Sequence, residues 1–350
     1  MIDFRYHLVS IVAVFLALAI GIVLGSTELQ GTTLDALRST SNSLNDKLSA
    51  ANSQLGVYKQ QVADNATFLQ TGEAKLVSGL LPGERVVVVT EPGASSDVIS
   101  GVTQAVTSAG ATVTGTVALQ PKFNDLSGGN ESTLYQINAQ QASANGITFT
   151  SPASSQTEYQ QQAAQLIATA ILATTADASI LATASAQTLL TAYGQAGYLS
   201  VNGTPYSGSA RATLAVVITP GSAPTDQNDP ANQVLLAVAD QFAGQSAATL
   251  VAGSASGSSP STSAISVLRG SNVAGKVSTV DNADTTMGQV SSVWALADQV
   301  AGGKPNSYGI SGASAVSPQV PSTVPSATPT PTGTPSSKAT GKVKKTVNNS

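Results

Sequence analysis

The stretch Leu8–Leu24, LVSIVAVFLALAIGIVL, constrains this chain more than any other: it is seventeen residues long and its only polar member is Ser10. So much contiguous apolar surface must be removed from water, in a protein core or in a bilayer. As a helix rising about 1.5 Å per residue, the run with Gly25 and its flanks just spans a hydrocarbon core of about 30 Å. A cleaved signal peptide is the competing reading, with an apolar region of about 7–15 residues. Here the run is longer, the leading MIDFRYH holds Asp3 as well as Arg5, and the small-x-small trio Ala17-Leu18-Ala19 lies in mid-run. The expectation is an uncleaved anchor over residues 1–26, with Leu8, Val9, Phe15, Leu16 and Leu24 among its membrane residues.

Orientation follows from charge. Arg5 and the N-terminal amine flank one end of the run, and no Lys or Arg follows the other end until Arg38. The positive-inside rule then puts the N-terminus in the cytoplasm and everything from about Ser26 onward outside. Within the run, Ala13, Ala17, Gly21 and Gly25 recur every four residues. A stripe of small residues lets transmembrane helices approach closely, as in GxxxG pairs, although Ala and Gly are also common in apolar helices.

Residues 27–72 carry a heptad repeat. With Leu34 at position a, the a series is Leu34, Ser41, Leu48, Leu55, Val62 and Leu69; the d series is Leu37, Leu44, Ala51, Tyr58 and Asn65. Nine of these eleven are apolar across five heptads without a Pro, which is the pattern of a long coiled-coil helix. Arg38, Lys47 and Lys59 at e and g positions have no acidic complements, so no ion-pair code selects a partner. A helix leaving a membrane anchor suits a parallel homodimer; the alternative is that it folds back on its own globular domain.

Downstream the pattern turns to alternating strands and helices. RVVVVT (Arg85–Thr90) reads as a buried strand, a helix follows from Ser95 or Ser96 to about Ser108, and Thr112–Leu119 reads as a second strand. Helices are expected over Glu158–Ala173, Ala186–Gln195 and Asp229–Phe242, and from Ser261 or Ser263 to Arg269. Strands are expected at Ser179–Ala184, Leu214–Thr219, Ala248–Ala252 and Val277–Val280. Thr286 with Gln289 offers a capping box for a last helix ending at Val300. The fold class is α/β with a mostly parallel sheet over residues 83–310. Residues 311–350 form a Pro/Ser/Thr-rich disordered tail with a basic end, Lys338, Lys342, Lys344 and Lys345.

Composition removes most chemistries. The chain has no Cys and a single His, His7, which excludes thiolate sites, a multi-histidine metal site within one chain and a Ser-His-Asp triad in the body of the fold. Without the four tail lysines, 11 basic residues face 19 acidic ones, the wrong balance for nucleic acid. The turn after the first strand, TEPGASSD, lacks both GxGxxG and GxxxxGK[ST] and carries Glu91 and Asp97. Asp281 and Asp284, with Asn282, could hold a hard cation at a strand end, or cap the following helix. No nucleophile or acid/base constellation appears, so no enzyme is expected.

Particular segments then resemble the MctB (mycobacterial copper transport protein B) family of actinobacterial single-pass envelope proteins. They are IDFRYH (residues 2–7) running into the anchor, GIVLG (21–25) closing it, LPGERV (81–86), and VSTVDNADTTMGQVSSVWALADQVAGG (277–303) followed by Tyr308-Gly309. The resemblance covers roughly residues 1–310. It implies a role in copper homeostasis or copper transport at the cell envelope; some relatives look instead like envelope scaffolds or cell-division regulators that bind a protein partner. Copper is implied by the family alone: no cofactor is expected from the residues, since copper(I) prefers Cys and Met and copper(II) prefers His, and the exported part offers Met287 alone.

Overall fold

The computed structural model describes residues 4–149, 153–173, 181–208, 211–221, 229–254 and 263–321, without the side chains of 26–33. It divides into two compact units, Met1–Phe68 and Leu69–Ser350. A single helix, α1 (Phe4–Val77), supplies the first unit and opens the second. It is 74 residues long and has no break. No Pro interrupts it, and an isolated Gly such as Gly56 costs only about 1 kcal/mol in a helix. For the same reason Gly72, where the heptad span read from the sequence ends, is passed: Glu73, Ala74, Lys75 and Leu76 are strong helix formers, and the turn comes at Gly79, whose φ is +72°. Val77, Leu80 and Leu81 then enter the core of the second unit. The Leu76 carbonyl, one of those a helix end leaves without an internal partner, accepts a 3.0 Å hydrogen bond from the Trp294 indole.

The second unit opens with the expected βαβ: β1 (Arg85–Thr90), α2 (Ser96–Ser108) and β2 (Thr112–Leu119). Ser95 caps α2. Two helices follow that periodicity did not announce, α3 (Pro121–Asn124) and α4 (Asn130–Asn145). α4 buries Asn138 and Gln141 beside Leu134 and Ala142, so its inner face is half polar and the apolar stripe is missing. α5 (Gln156–Ile171) starts at a capping box of Ser155 and Glu158. α6 (Thr183–Gln195) takes up Thr183 and Ala184, so the strand expected at Ser179–Ala184 is not formed there; residues 179–180 lie outside the described residues. β3 (Leu199–Gly203) is a further strand, followed by β4 (Leu214–Ile218). α7 (Pro230–Ala243) begins with Asp229 as cap and Pro at its first position. The chain closes with β5 (Ala248–Ala252), α8 (Ala264–Arg269), β6 (Ser278–Val280), α9 (Thr286–Val300) and β7 (Ser307–Tyr308).

The strands make one sheet in the order β3-β2-β1-β4-β5-β6-β7. All neighbours are parallel except β2 and β3. Alternation along β1 sorts its valines onto two cores: Val87 and Val89 join a cluster with α4 to α8, while Val86 and Val88 join one with α2 and α9. Burial on both faces explains why the strand reads as a continuous apolar run. Each buried Val contributes about 1.5–3 kcal/mol.

Trp294→Phe keeps a ring but deletes the donor to Leu76. Urea unfolding of the second unit is expected to show a loss of about 1 kcal/mol, with Trp294→Ala losing more. Equal stability of Trp294→Phe and the parent would show that the hydrogen bond contributes nothing.

Candidate functional site

Two places present chemistry: the surface of α1, and the carboxyl edge of the sheet. On α1, Phe4–Gly25 is a helical segment long and apolar enough to cross a membrane, with mean hydropathy 2.9. Leu8, Val9, Phe15, Leu16 and Leu24 all stand outward, between 54% and 66% exposed, as lipid-facing side chains do. Ala13, Ala17, Gly21 and Gly25 run down the same helix, and nothing lies within 4 Å of a Cβ placed at Gly21 or Gly25. Further along, Leu34, Leu37, Leu44, Leu48, Leu55, Tyr58 and Val62 are exposed, and Leu69 is half-buried. Gly25, the last residue of the small-residue stripe, and Leu34, the first of the heptad seam, do not share a face. Gly25 and Leu34 are nine residues apart. At about 3.6 residues per turn that is two and a half turns, which sets them on opposite sides.

At the sheet edge, β1 and β4 flank the point where the strand order reverses direction, the place where doubly wound sheets take ligands. In this chain it is narrowed. The Glu91 amide donates to Ile218 O at 2.9 Å, and a Cβ at Gly93 (φ +85°) would lie 3.6 Å from Pro220. Glu91 itself is buried, and its Oε1 has no hydrogen-bond partner among the described residues. The turn was legible as acidic; the burial of its first acid was not, because it depends on β4 arriving alongside.

Asp281 and Asp284 part company. Asp281, buried at the end of β6, pairs with Arg269 Nη1 at 2.8 Å and accepts the amides of Ile310 and Ser311 at 2.8 and 2.9 Å. The same guanidinium donates to Tyr308 O, Ser311 O and Thr279 Oγ1. Asp281 is therefore neither helix cap nor cation ligand: it is committed to a clamp on residues 308–311. Gly309 (φ +129°) is required there, since a Cβ would fall 1.9 Å from Asp281 Oδ1. The segment continues in order to Ala315, which bridges to Tyr308, so the start of the expected tail belongs to the fold; residues 322–350, with the four lysines, lie outside the described residues. Asp284 is exposed and accepts from Ser254 Oγ at 3.0 Å. The cap of α9 is Thr285, accepting from Gly288 N at 3.1 Å, one residue before the Thr286 box read from the sequence.

Among the described residues, no three of His, Cys, Asp and Glu gather as a metal cluster. Met287 is half-buried in the first turn of α9, and His7 is exposed on α1. The chain's own donors thus offer copper no soft, preformed site among the described residues.

A family model described as "Copper transport outer membrane protein, MctB" matches residues 1–318. A protein named copper transporter MctB from Mycobacterium tuberculosis (strain ATCC 25618 / H37Rv) is 31% identical over 312 residues, 88% of this chain and 96% of that protein. One of the same name from Mycobacterium leprae (strain TN) is 32% identical over 327 residues, 92% of this chain and all of that protein. The matched span takes in α1, the whole sheet and the clamped segment after β7.

Burial pushes the Glu91 carboxyl up to about 8 from an ordinary value of 4.5. An unfolded chain releases this proton near the lower value and the folded one near the higher. Folding therefore takes up a proton in between, and stability falls as pH rises from about 4.5 to 8. Glu91→Gln keeps the neutral shape and removes that slope. Thermal unfolding at several pH values is expected to show the variant gaining on the parent, on the order of 4 kcal/mol by pH 8. Parallel stability curves for the two proteins would mean that Glu91 is ionised in the fold.

Proposed function

The chain belongs to the MctB family, and from that membership we propose that it serves copper transport at the cell envelope as a membrane-anchored protein with its N-terminus in the cytoplasm. The observation that carries the proposal is the extent of the match, residues 1–318: anchor, long helix and α/β unit together. The family description speaks of an outer membrane. Among the described residues the element suited to a bilayer is a helix, and the described strands form an open sheet with helices on both faces. Orientation rests on Arg5 and the amine at one end of that helix.

The donor inventory limits how copper is handled. With no Cys and with Met287 alone beyond the anchor, the chain does not pass copper along soft ligands of its own. Its part in transport is organisational: α1 joins other helices along its seam, and the α/β unit recruits the envelope component that carries the metal. A second reading, an envelope scaffold or cell-division regulator without any copper role, is favoured by the same exposed seam.

Deleting the gene in its host separates the two. The copper reading expects raised cellular copper and lowered copper tolerance, both restored by the parent and by Met287→Leu, since no single side chain makes the site. Unchanged copper content and tolerance, with a defect in growth or division, would give the case to the scaffold.

A further inference from the structure

We infer that residues 34–69 of α1 form the interface of a parallel, in-register homodimer, the partner being a second copy of this chain. The inference goes beyond the copper reading and stands apart from it. Seven apolar seam side chains between Leu34 and Val62 are each between 48% and 68% exposed. Burying such a side chain removes roughly 100 Å² from water, so covering the seam in both copies removes roughly 1,400 Å². That lies inside the range of about 1,200–2,000 Å² over which specific, stable protein pairs form. Continuity of the helix adds a constraint: the seam stays in register through Gly56 with no cap or kink to end it.

The polar seam positions suit a second copy of this chain, and the anchor sets its direction. In a parallel, in-register pair, Ser41 meets Ser41 and Asn65 meets Asn65, so each polar group finds its like. Of the antiparallel registers, the one that sets Leu34 against Asn65 puts Ser41 against Tyr58 and buries polar groups against apolar ones, while the one that sets Leu37 against Leu69 brings Ser41 to Asn65, so polarity alone does not choose the direction. The flanks agree with the parallel choice. There Lys47 of one copy faces Asn52 of the other, and Gln54 faces Lys59, so no like charges meet. The anchor sets the direction, because two copies leaving one membrane in the same sense run side by side. Gly25, at the end of the small-residue stripe, lies on the opposite side of the helix from Leu34 and takes no part.

The chain has no Cys, so single introduced cysteines report the geometry without background. In the full-length protein in membranes, oxidation of Leu44→Cys is expected to yield a covalent dimer, and Asp46→Cys, on the outer side of the heptad, is not. In detergent, the parent should have the mass of two chains. The double variant Leu48→Asp with Leu55→Asp should have the mass of one, with the urea unfolding of the α/β unit unchanged as proof that it still folds. A monomeric parent, no crosslink through Leu44→Cys, or a double variant that remains dimeric would each overturn the proposal, the last by placing the interface elsewhere.

Discussion

An unbroken backbone hydrogen-bond ladder from Phe4 to Val77 is the constraint on which the rest depends. A helix has no side that is free of its neighbours' spacing. Once the apolar run and the heptads belong to one helix, the angle between their faces is decided. The end of that helix is equally constrained. Val77, Leu80 and Leu81 are buried with the α2 and α9 side of the sheet, and the Trp294 indole donates to the carbonyl of Leu76, the last helical residue but one. The α/β unit therefore incorporates the terminus of α1 into its own core.

The α/β unit shows which physical signals survive in sequence. β1, β4 and β5 are legible because strands covered on both faces need apolar side chains at every position, and RVVVVT and LAVVI have them. β3 and α4 are not. β3 is an edge strand with exposed residues on both sides, and α4 buries amides that bond to main chain, Asn138 Nδ2 to Tyr159 O among them. Buried polar satisfaction of that kind has no periodicity. Tyr193 completes the arrangement by donating to Asn138 Oδ1 at 2.6 Å, across 55 residues of sequence.

The same distinction governs the candidate sites. The anchor and the seam are local patterns, and both lie on one helix, α1. The sheet edge is a tertiary product. VDNADT reads equally as a cap or a cation loop until Arg269 and the amides of residues 310–311 are brought to Asp281. Glu91 looks like any acid in a turn until β4 closes over it. Spacing could not announce either, because the deciding partners lie 12 to 30 residues away in one case and beside a different strand in the other.

The half-turn offset between Gly25 and Leu34 has a consequence for the length of the spacer between them. Each residue added to the spacer lengthens the rod by about 1.5 Å but rotates everything beyond it by about 100°. Two extra residues would carry Gly25 round to the side of Leu34; seven would leave the two almost where they are. The spacer is thus an angular setting as well as a ruler, and only steps close to whole turns preserve the offset.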